Sequence, residues 1–323
     1  MRKIAVLTSG GDAPGMNAAV RAVVRGAISY KLQVMGVFRG YQGLIDDDLH
    51  EMSSKSVSNI IHQGGTILKT ARCKEFETPQ GRQKAFYNLR KHDIDGLVVI
   101  GGNGTFTGAK LLGEEFHFPV IGIPGTIDND LYGTDYTIGF DTALSTVVEA
   151  VDKIRDTATA HNRLFFVEVM GRHAGFLALH SAIASGSEAV FTPEVDGDME
   201  RLYDFLRNKF KKAKSSSIVI VAEGNKEGNA IAISQKVTED FPEYDTRVSI
   251  LGHIQRGGSP SPFDRVLASA LGVAAVKGLI AGKTAVMMGL ESNKLVEVPF
   301  EDAIYKKKDL DPDTLGLVSI LSI

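Results

Sequence analysis

Two carboxylates and a hydroxyl stand close together in residues 124–130, directly after the apolar run 120–123. Asp128 and Asp130 are two residues apart, so in an extended turn their side chains point roughly the same way. Such a pair can hold a metal ion, accept a proton, or do both. The plainer interpretation is an Asx-rich turn whose side chains bond to their own backbone, as most short Asp-Asn-Asp sequences do. The motifs elsewhere in the chain decide between the two.

Two glycine-rich loops follow other apolar runs. Residues 4–7 predict a short strand, and the loop at residues 8–15 then opens into a predicted helix over residues 16–28. The same order returns in strand 96–100 and the loop at residues 101–105. Such a loop lets backbone N–H groups and a helix N-terminus approach an anion, typically a phosphate, which a Cβ atom would obstruct. A glycine pair alone is weak evidence, because many turns use glycine only for a positive φ.

Three further apolar runs, at residues 164–169, 217–222 and 248–252, lead into polar loops that include Arg172 and Glu223. Apolar strands that alternate with amphipathic helices predict an α/β fold with parallel sheets covered on both faces. Ligands of such sheets bind beyond the carboxyl ends of the strands. The polar loops, and the chemistry they carry, are therefore expected to gather on one side.

The remaining predicted elements are helices over about 106–112, 141–159 and 198–212, and a hairpin-type pair of strands at 285–290 and 295–298. Asp141 is in position to be the N-cap of the second of these helices. Lysines crowd the end of the third helix, where cations suit the helix dipole.

Composition sets the broad class. The 323 residues are enough for two domains, and the single cysteine, Cys73, cannot form an internal disulfide, which suits a reducing cytoplasm. A net charge of -3 argues against a nucleic-acid partner. No signal peptide or membrane-spanning apolar stretch is evident, so we expect a cytoplasmic protein with no membrane partner.

These motifs together suit phosphoryl transfer. That reaction needs a nucleotide cradle, a metal ion, a base for the attacking hydroxyl and a cation for the moving phosphoryl group. Gly11 and residues 101–105 can wrap phosphates, Asp128 can accept a proton and Arg172 can stabilise charge. Neither a Walker A motif nor a protein-kinase motif is present, which indicates a different kinase architecture.

The segments 8–17, 124–130, 170–172 and 252–258 together resemble the bacterial ATP-dependent phosphofructokinases, and the match spans almost the whole chain. The resemblance implies two similar doubly wound α/β domains with mostly parallel central sheets and an active site in the cleft between them. The expected ATP-binding domain is 1–140 plus about 257–303, and the expected fructose 6-phosphate-binding domain is 141–256 plus the tail at about 304–323.

The activity implied by this resemblance is transfer of a phosphoryl group from MgATP to the 1-hydroxyl of fructose 6-phosphate. The products are fructose 1,6-bisphosphate and ADP, in the committed step of glycolysis. The resemblance further implies an allosterically regulated cytoplasmic homotetramer that uses Mg²⁺, with ADP as activator and phosphoenolpyruvate as inhibitor.

Roles are carried over residue by residue. Asp128 would be the base, with Thr126 and Asp130 beside it and Arg172 on the transferring phosphoryl group. The ATP site would comprise Gly11, Arg72, Cys73, Gly102, Asn103, Gly104 and Thr105, with Asn103 at the metal. Substrate would be bound by Thr126, Ile127, Asp128, Arg163, Met170, Gly171, Arg172, Glu223, Arg247, His253, Ile254, Gln255 and Arg256. Of these, Arg163 and Arg247 would arrive from a neighbouring subunit.

The resemblance also implies an effector site at a subunit interface. Its residues would be Arg21, Ala22, Val23, Val24, Arg25, Ser54, Lys55, Asn59, Arg155, Gly186, Ser187, Glu188, Lys212, Lys214, Ser215 and Ser216. Relatives often carry Arg where this chain has Ser54, and the neighbouring Lys55 is the cation that could substitute for it.

Asn103 is the other departure, because relatives carry a magnesium-associated Asp there. An amide oxygen brings no negative charge, so we expect activity to persist with a higher magnesium requirement. Two alternatives stay open. A pyrophosphate-dependent phosphofructokinase typically has Asp and Lys where this chain has Gly104 and Gly125, and a catalytically silent sensor would have no need of Asp128.

Overall fold

The computed structural model describes residues 1–161, 163–210 and 217–321, and the chain divides into two compact units. Unit 1 consists of Met1–Ile127, Leu131–Thr142 and Arg256–Lys308. Unit 2 consists of Asp128–Asp130, Ala143–Gln255 and Asp309–Ile323. No helix within the described ranges combines the length and the apolar character needed to cross a bilayer.

The strands are β1 (Lys3–Thr8), β2 (Gln33–Val37), β3 (Leu49–Met52), β4 (Gly96–Gly101), β5 (Val120–Pro124), β6 (Arg163–Val169), β7 (Ala189–Phe191), β8 (Ser217–Ala222), β9 (Asp245–Ile250), β10 (Val286–Glu291) and β11 (Lys294–Pro299). The helices are α1 (Met16–Ser29), α2 (Tyr41–Asp46), α3 (Pro79–Lys91), α4 (Asn103–Phe116), α5 (Phe140–His161), α6 (Phe176–Ser185), α7 (Asp198–Phe210), α8 (Ala230–Asp240), α9 (Pro262–Ile280), α10 (Phe300–Tyr305) and α11 (Pro312–Leu321). Short 3-10 helices cover Glu75–Glu77 and Gly252–Arg256.

Unit 1 contains a sheet in the order β11-β10-β5-β4-β1-β2-β3. Its five inner strands are parallel, and only the edge strands β3 and β11 are antiparallel to their neighbours. The chain first winds from β1 to β2 on one side, then returns to β4 on the other side of β1. The carboxyl ends of β1 and β4 therefore flank a topological switch point, where open α/β sheets bind ligands.

Unit 2 contains a parallel sheet in the order β7-β8-β6-β9. Its core includes Phe166, Phe191, Leu202, Val219 and Ile233. Strand β8 is buried along its whole length, as expected for a strand covered on both faces, whereas β9 is the outer strand and is only partly buried. The polar loops after β6, β8 and β9 follow adjacent strands.

The α/β fold with mostly parallel sheets is confirmed, as is the hairpin formed by β10 and β11. Several bounds differ from the predicted ones. Helix α4 begins at Asn103, so the second glycine loop supplies the helix's first turn. Strand β9 begins at Asp245, three residues before the predicted start. These residues were missed because they include polar ones and the strand is only partly buried.

The predicted N-cap of α5 was wrong. The helix begins at Phe140, which places Asp141 within its first turn. Asp264, which is completely buried, accepts hydrogen bonds from the backbone N–H groups of Gly139 (2.8 Å) and Thr142 (2.9 Å). A carboxylate more than 120 positions away in the chain thus satisfies the N–H groups that a local N-cap usually serves.

Candidate active site

The first glycine loop, after β1, lies against an arginine. Nη1 of Arg256 donates to the Asp12 carbonyl oxygen at 3.0 Å. A Cβ atom on Gly11 would lie 2.7 Å from the same Nη1, so a side chain there would require the guanidinium to shift. Gly10 and Gly15 have φ values of 85° and 107°, which side chains disfavour. A cation is therefore held beside a loop suited to phosphate.

The second glycine loop is tightly packed at Gly101 and open at Gly104. A Cβ on Gly101 would lie 2.5 Å from the Ser9 carbonyl oxygen, which shows how closely the loops after β1 and β4 approach each other. A Cβ on Gly104 would meet no atom within 4 Å. Asn103, Gly104 and Thr105 form the first turn of α4, and the N-terminal turn of a helix attracts anions.

An aromatic pair beside this turn was missed from the sequence. The Tyr41 hydroxyl donates to the Thr105 carbonyl oxygen, and the Tyr41 ring stacks on Phe76 with centroids 3.9 Å apart. Both rings would contact a Cβ on Gly108, at 2.9 and 3.0 Å. Gly108, one helical turn after Gly104, is the sequence signal that could have indicated bulky side chains packed against this face of α4.

Arg72 and Cys73 precede Phe76 in the chain. Arg72 is exposed, and Cys73 is half-buried against the hydrophobic core of unit 1. Burial raises the pKa of the Cys73 thiol, so the thiolate is disfavoured. A thiol held in its neutral form is a poor nucleophile.

The carboxylate turn is anchored on both sides. The Gly125 N–H donates to the Gly101 carbonyl oxygen at 2.9 Å, which continues the β4–β5 pairing. The Thr137 hydroxyl donates to the Thr126 carbonyl oxygen at 2.6 Å. Asn129 has a φ of 53°, and Asp128 is only 8% exposed. The turn that carries Thr126, Ile127, Asp128 and Asp130 is thus a fixed bend at the end of β5.

In unit 2 the loop after β6 is fixed by Glu223. One Glu223 oxygen accepts a hydrogen bond from the Arg172 backbone N–H at 2.8 Å, and the Glu223 N–H donates to the Val169 carbonyl oxygen at 2.9 Å. Arg172 has a φ of 56°, and Gly171 a φ of 146°. Glu223, assigned from the sequence to the sugar, therefore also holds the backbone of Arg172 in an uncommon conformation.

Gln255 also holds the loop after β6, through its side-chain amide. Its side chain is fully buried, accepts from the Met170 N–H at 3.1 Å and donates to the Gly252 carbonyl oxygen at 2.9 Å. Both ends of the amide are thus engaged. His253 and Ile254, its neighbours in the 3-10 helix, are exposed and accessible.

Arg163 and Arg247 share one partner. Nε of Arg163 on β6 donates to the Asp245 carboxylate on β9 at 2.8 Å, and Arg247 forms an ion pair with the same carboxylate. The sequence predicted both arginines as ligands of the sugar phosphate but not the aspartate between them.

Comparison with known proteins identifies the family. The family model described as phosphofructokinase matches residues 3–279. The chain belongs to the phosphofructokinase family. The ATP-dependent 6-phosphofructokinase 2 of Bacteroides thetaiotaomicron is 57% identical over 320 residues, covering 99% of this chain and 98% of that protein. The ATP-dependent 6-phosphofructokinase of Bacillus pumilus is 54% identical over the full length of both chains.

A solved phosphofructokinase structure, from Saccharomyces cerevisiae, superimposes with a TM-score of 0.89 at 37% identity and covers the whole of this chain. This chain spans 48% of the yeast chain's length. The structural agreement confirms the family fold that the sequence motifs indicated.

The residues predicted for a phosphofructokinase effector site lie in both units. Arg21 and Arg25 lie on α1, and Ser54, Lys55 and Asn59 are exposed between β3 and α3. The side chains of Ala22, Val23 and Val24 are buried in the core and carry no polar atom. In unit 2 Arg155 donates to the carbonyl oxygens of Ser185 and Gly186, Ser187 is buried, and Glu188 accepts from the Ile218 N–H. Lys212, Lys214, Ser215 and Ser216 lie outside the described residues.

The residues available to a metal ion at this site are oxygen donors. Within the described ranges no group of three or more His, Cys, Asp or Glu residues is clustered as a metal cage. In unit 1 Asn103 supplies an amide oxygen at the start of α4, and the turn that follows β5 carries the carboxylates of Asp128 and Asp130. Amide and carboxylate oxygens are the donor types that Mg²⁺ takes.

Proposed function

We propose that this protein transfers a phosphoryl group from ATP to the 1-hydroxyl of fructose 6-phosphate, giving fructose 1,6-bisphosphate and ADP. The observation that carries the proposal is the pair of glycine loops at the switch point of unit 1, followed on β5 by the fixed Asp128 turn. Full-length relatives named ATP-dependent 6-phosphofructokinase support the same activity.

The phosphoryl donor is ATP. Gly104 faces open space, so the first turn of α4 has room for a nucleotide's phosphate chain. At Gly125 a Cβ would lie 3.1 Å from an Ile100 methyl group and 3.2 Å from the Met16 methyl group. The Asp and Lys typical of the pyrophosphate-dependent branch are absent at both positions, and a lysine at position 125 would require its neighbours to move.

Asp128 is the general base of the proposed reaction. As the 1-hydroxyl oxygen attacks the γ-phosphorus of ATP, its proton passes to the Asp128 carboxylate and the bond to the ADP oxygen breaks. Arg172 stabilises the negative charge on the phosphoryl group in transit. Thr126 and Asp130 lie beside Asp128 in the turn after β5. Glu223 contributes by fixing the Arg172 backbone.

Magnesium would be held by Asn103, Asp128 and Asp130 together with the ATP phosphates. When bound, it screens the charge of the triphosphate. Asn103 contributes no negative charge, so the two carboxylates supply the protein's share of charge neutralisation.

The sugar phosphate would be bound by Met170, Gly171, His253 and Arg256, with Glu223 at the sugar hydroxyls. In a cytoplasmic homotetramer Arg163 and Arg247 serve the site of a neighbouring subunit. ADP and phosphoenolpyruvate act at the effector residues named above. The assignments of Met170, Gly171, Glu223, His253 and Arg256 follow the family resemblance and the positions of these residues beyond the carboxyl ends of β6, β8 and β9. Those of Arg163, Arg247 and the effector residues follow the resemblance alone.

A coupled assay tests the proposal. Purified protein is given fructose 6-phosphate with either ATP or pyrophosphate, and fructose 1,6-bisphosphate is measured across a range of Mg²⁺ concentrations. We expect turnover with ATP and none above background with pyrophosphate. A preference for pyrophosphate would overturn the donor assignment. Binding of ATP and fructose 6-phosphate without product would instead identify a sensor.

A further inference from the structure

The cluster formed by Arg163, Asp245 and Arg247 follows from strand geometry. In the parallel pairing of β6 with β9, Arg163 lies directly opposite Asp245. Arg247 is two residues further along β9, so its side chain emerges on the same face as that of Asp245. The carboxylate therefore lies within reach of both guanidinium groups and forms an ion pair with each.

The carboxylate uses only some of the arginine donors. Arg163 engages Asp245 through Nε, and Arg247 engages it through Nη1, which also donates to the Thr246 carbonyl oxygen. In the part of the chain that the structure describes, Nη1 and Nη2 of Arg163 and Nε and Nη2 of Arg247 have no hydrogen-bond acceptor. Two guanidinium groups thus keep free donors on either side of one anion.

The charges of the cluster suit a phosphate monoester. Two guanidinium groups and one carboxylate sum to a single positive charge. Without the carboxylate the two cations would repel each other, and their long side chains would adopt many rotamers. The cluster is exposed at the outer strand of the unit 2 sheet, so an anion from solution or from a second subunit can reach it.

We propose that Asp245 is a positioning residue that holds Arg163 and Arg247 together as a two-arginine clamp for the sugar phosphate. The inference rests on the proposed function, in which both arginines bind the phosphate of fructose 6-phosphate. Asp245 itself does not contact the substrate. It sets the spacing and direction of the guanidinium groups before the phosphate arrives, which lowers the ordering cost of binding.

Two other roles for Asp245 make different predictions. A carboxylate that competes with phosphate for the arginines would weaken binding, so its removal would tighten it. A carboxylate that only joins β6 to β9 would affect unfolding and leave substrate binding unchanged. Exposed ion pairs contribute little to stability, so an Asp245 variant is expected to fold.

The test compares D245N with the wild-type enzyme in steady-state kinetics. For D245N we expect the KM for fructose 6-phosphate to rise about tenfold, the size of a lost charge-assisted contact, with kcat within about twofold. The KM for ATP and the thermal unfolding midpoint should stay unchanged. D245E, which keeps the charge, should restore most of the affinity.

Two controls sharpen the result. D196N removes a comparable exposed carboxylate that pairs with Lys226 in the same unit, and should leave the kinetics unaltered. In R163Q the D245N change should have a smaller effect than in the wild type, because Asp245 acts through that arginine. An unchanged or lower KM in D245N, or full additivity with R163Q, would overturn the clamp. Failure of the wild-type enzyme to phosphorylate fructose 6-phosphate would overturn the proposed function as well.

Discussion

Some residues of the site carry reactive groups, and others hold those groups in place. Only the first kind is visible in the sequence. The types and order of Asp128, Arg172 and Gly11 along the chain are enough to indicate phosphoryl transfer. That Glu223 holds the Arg172 backbone, or that Arg256 lies on the Gly11 loop, becomes visible only in the fold. Each of these contacts joins residues tens or hundreds of positions apart, and no local pattern records them.

Removal of the Glu223 carboxylate should reduce turnover. In E223A the Arg172 N–H loses its partner, and the backbone at a φ of 56° is no longer held. We expect kcat to fall about tenfold or more, as when a group that stabilises the transition state is displaced. E223Q retains an oxygen acceptor and is the matched control. Equal kcat values for E223A and the wild type would contradict this role.

Restoration of an acidic residue at position 103 should lower the magnesium requirement. N103D adds a negative charge at the first residue of α4, where it also suits the helix dipole. We expect half-maximal turnover at several-fold less Mg²⁺, about what one added carboxylate ligand provides. The KM for fructose 6-phosphate serves as the internal control. An unchanged magnesium dependence would show that residue 103 does not act through the metal.

At the scale of elements, the apolar strands β1, β4, β5, β6 and β8 and the helices α1, α4, α5 and α7 were predicted, because their periodicity is set by which face is buried. Strands β2, β3 and β7, which were missed, are short, and the missed helices α10 and α11 lie on either side of a charged surface segment. Helices α2, α3, α6, α8 and α9 were not predicted either. The start of α5 depends on Asp264, which comes from the first turn of α9.

Asp264 gives α5 a pH-dependent anchor. Burial raises the pKa of Asp264 to about 6, from an ordinary value near 3.8. Between these two values the folded state holds the proton more tightly than the unfolded state. This contribution to the free energy of unfolding is therefore fully present below pH 3.8 and is lost as the pH rises through 6. Its size is on the order of 1–3 kcal/mol.

The test is the difference in denaturant midpoint between the wild-type protein and D264N from about pH 4.5 to 7.5, a range that brackets the raised pKa. Asparagine does not titrate, so the wild type's advantage should shrink as the pH rises through this interval. Other titrating groups are common to both proteins and cancel. A difference that is constant or grows with pH would contradict the raised pKa.

The whole molecule joins two α/β units whose sheets each present polar loops at the carboxyl ends of adjacent strands. Length and motif order were enough to predict two such units and their family. Which unit binds ATP and which binds the sugar phosphate, and the homotetramer that would bring Arg163 and Arg247 to a neighbour, remain proposals.

In the proposed homotetramer, regulation would be a property of the assembly, so the effector site is tested on the assembled protein. The wild-type protein has Ser54 in place of the common arginine. We therefore expect ADP and phosphoenolpyruvate to shift its fructose 6-phosphate saturation curve less than they shift the curve of an S54R variant. Loss of one phosphate-pairing arginine typically costs several-fold to about 100-fold in affinity. S58R, in the same exposed segment, is the control for added charge. Identical effector responses in the wild type and S54R would count against the effector site.

The central claim is that the fixed turn after β5 supplies the base for phosphoryl transfer. The most direct test measures kcat for fructose 6-phosphate phosphorylation by ATP in D128N and in the wild-type enzyme at saturating substrates. Asparagine preserves the shape of the side chain but cannot take the proton, so we predict that kcat falls about 10²- to 10⁴-fold while both substrates still bind. A D128N enzyme that turns over within a few-fold of the wild type would contradict the account.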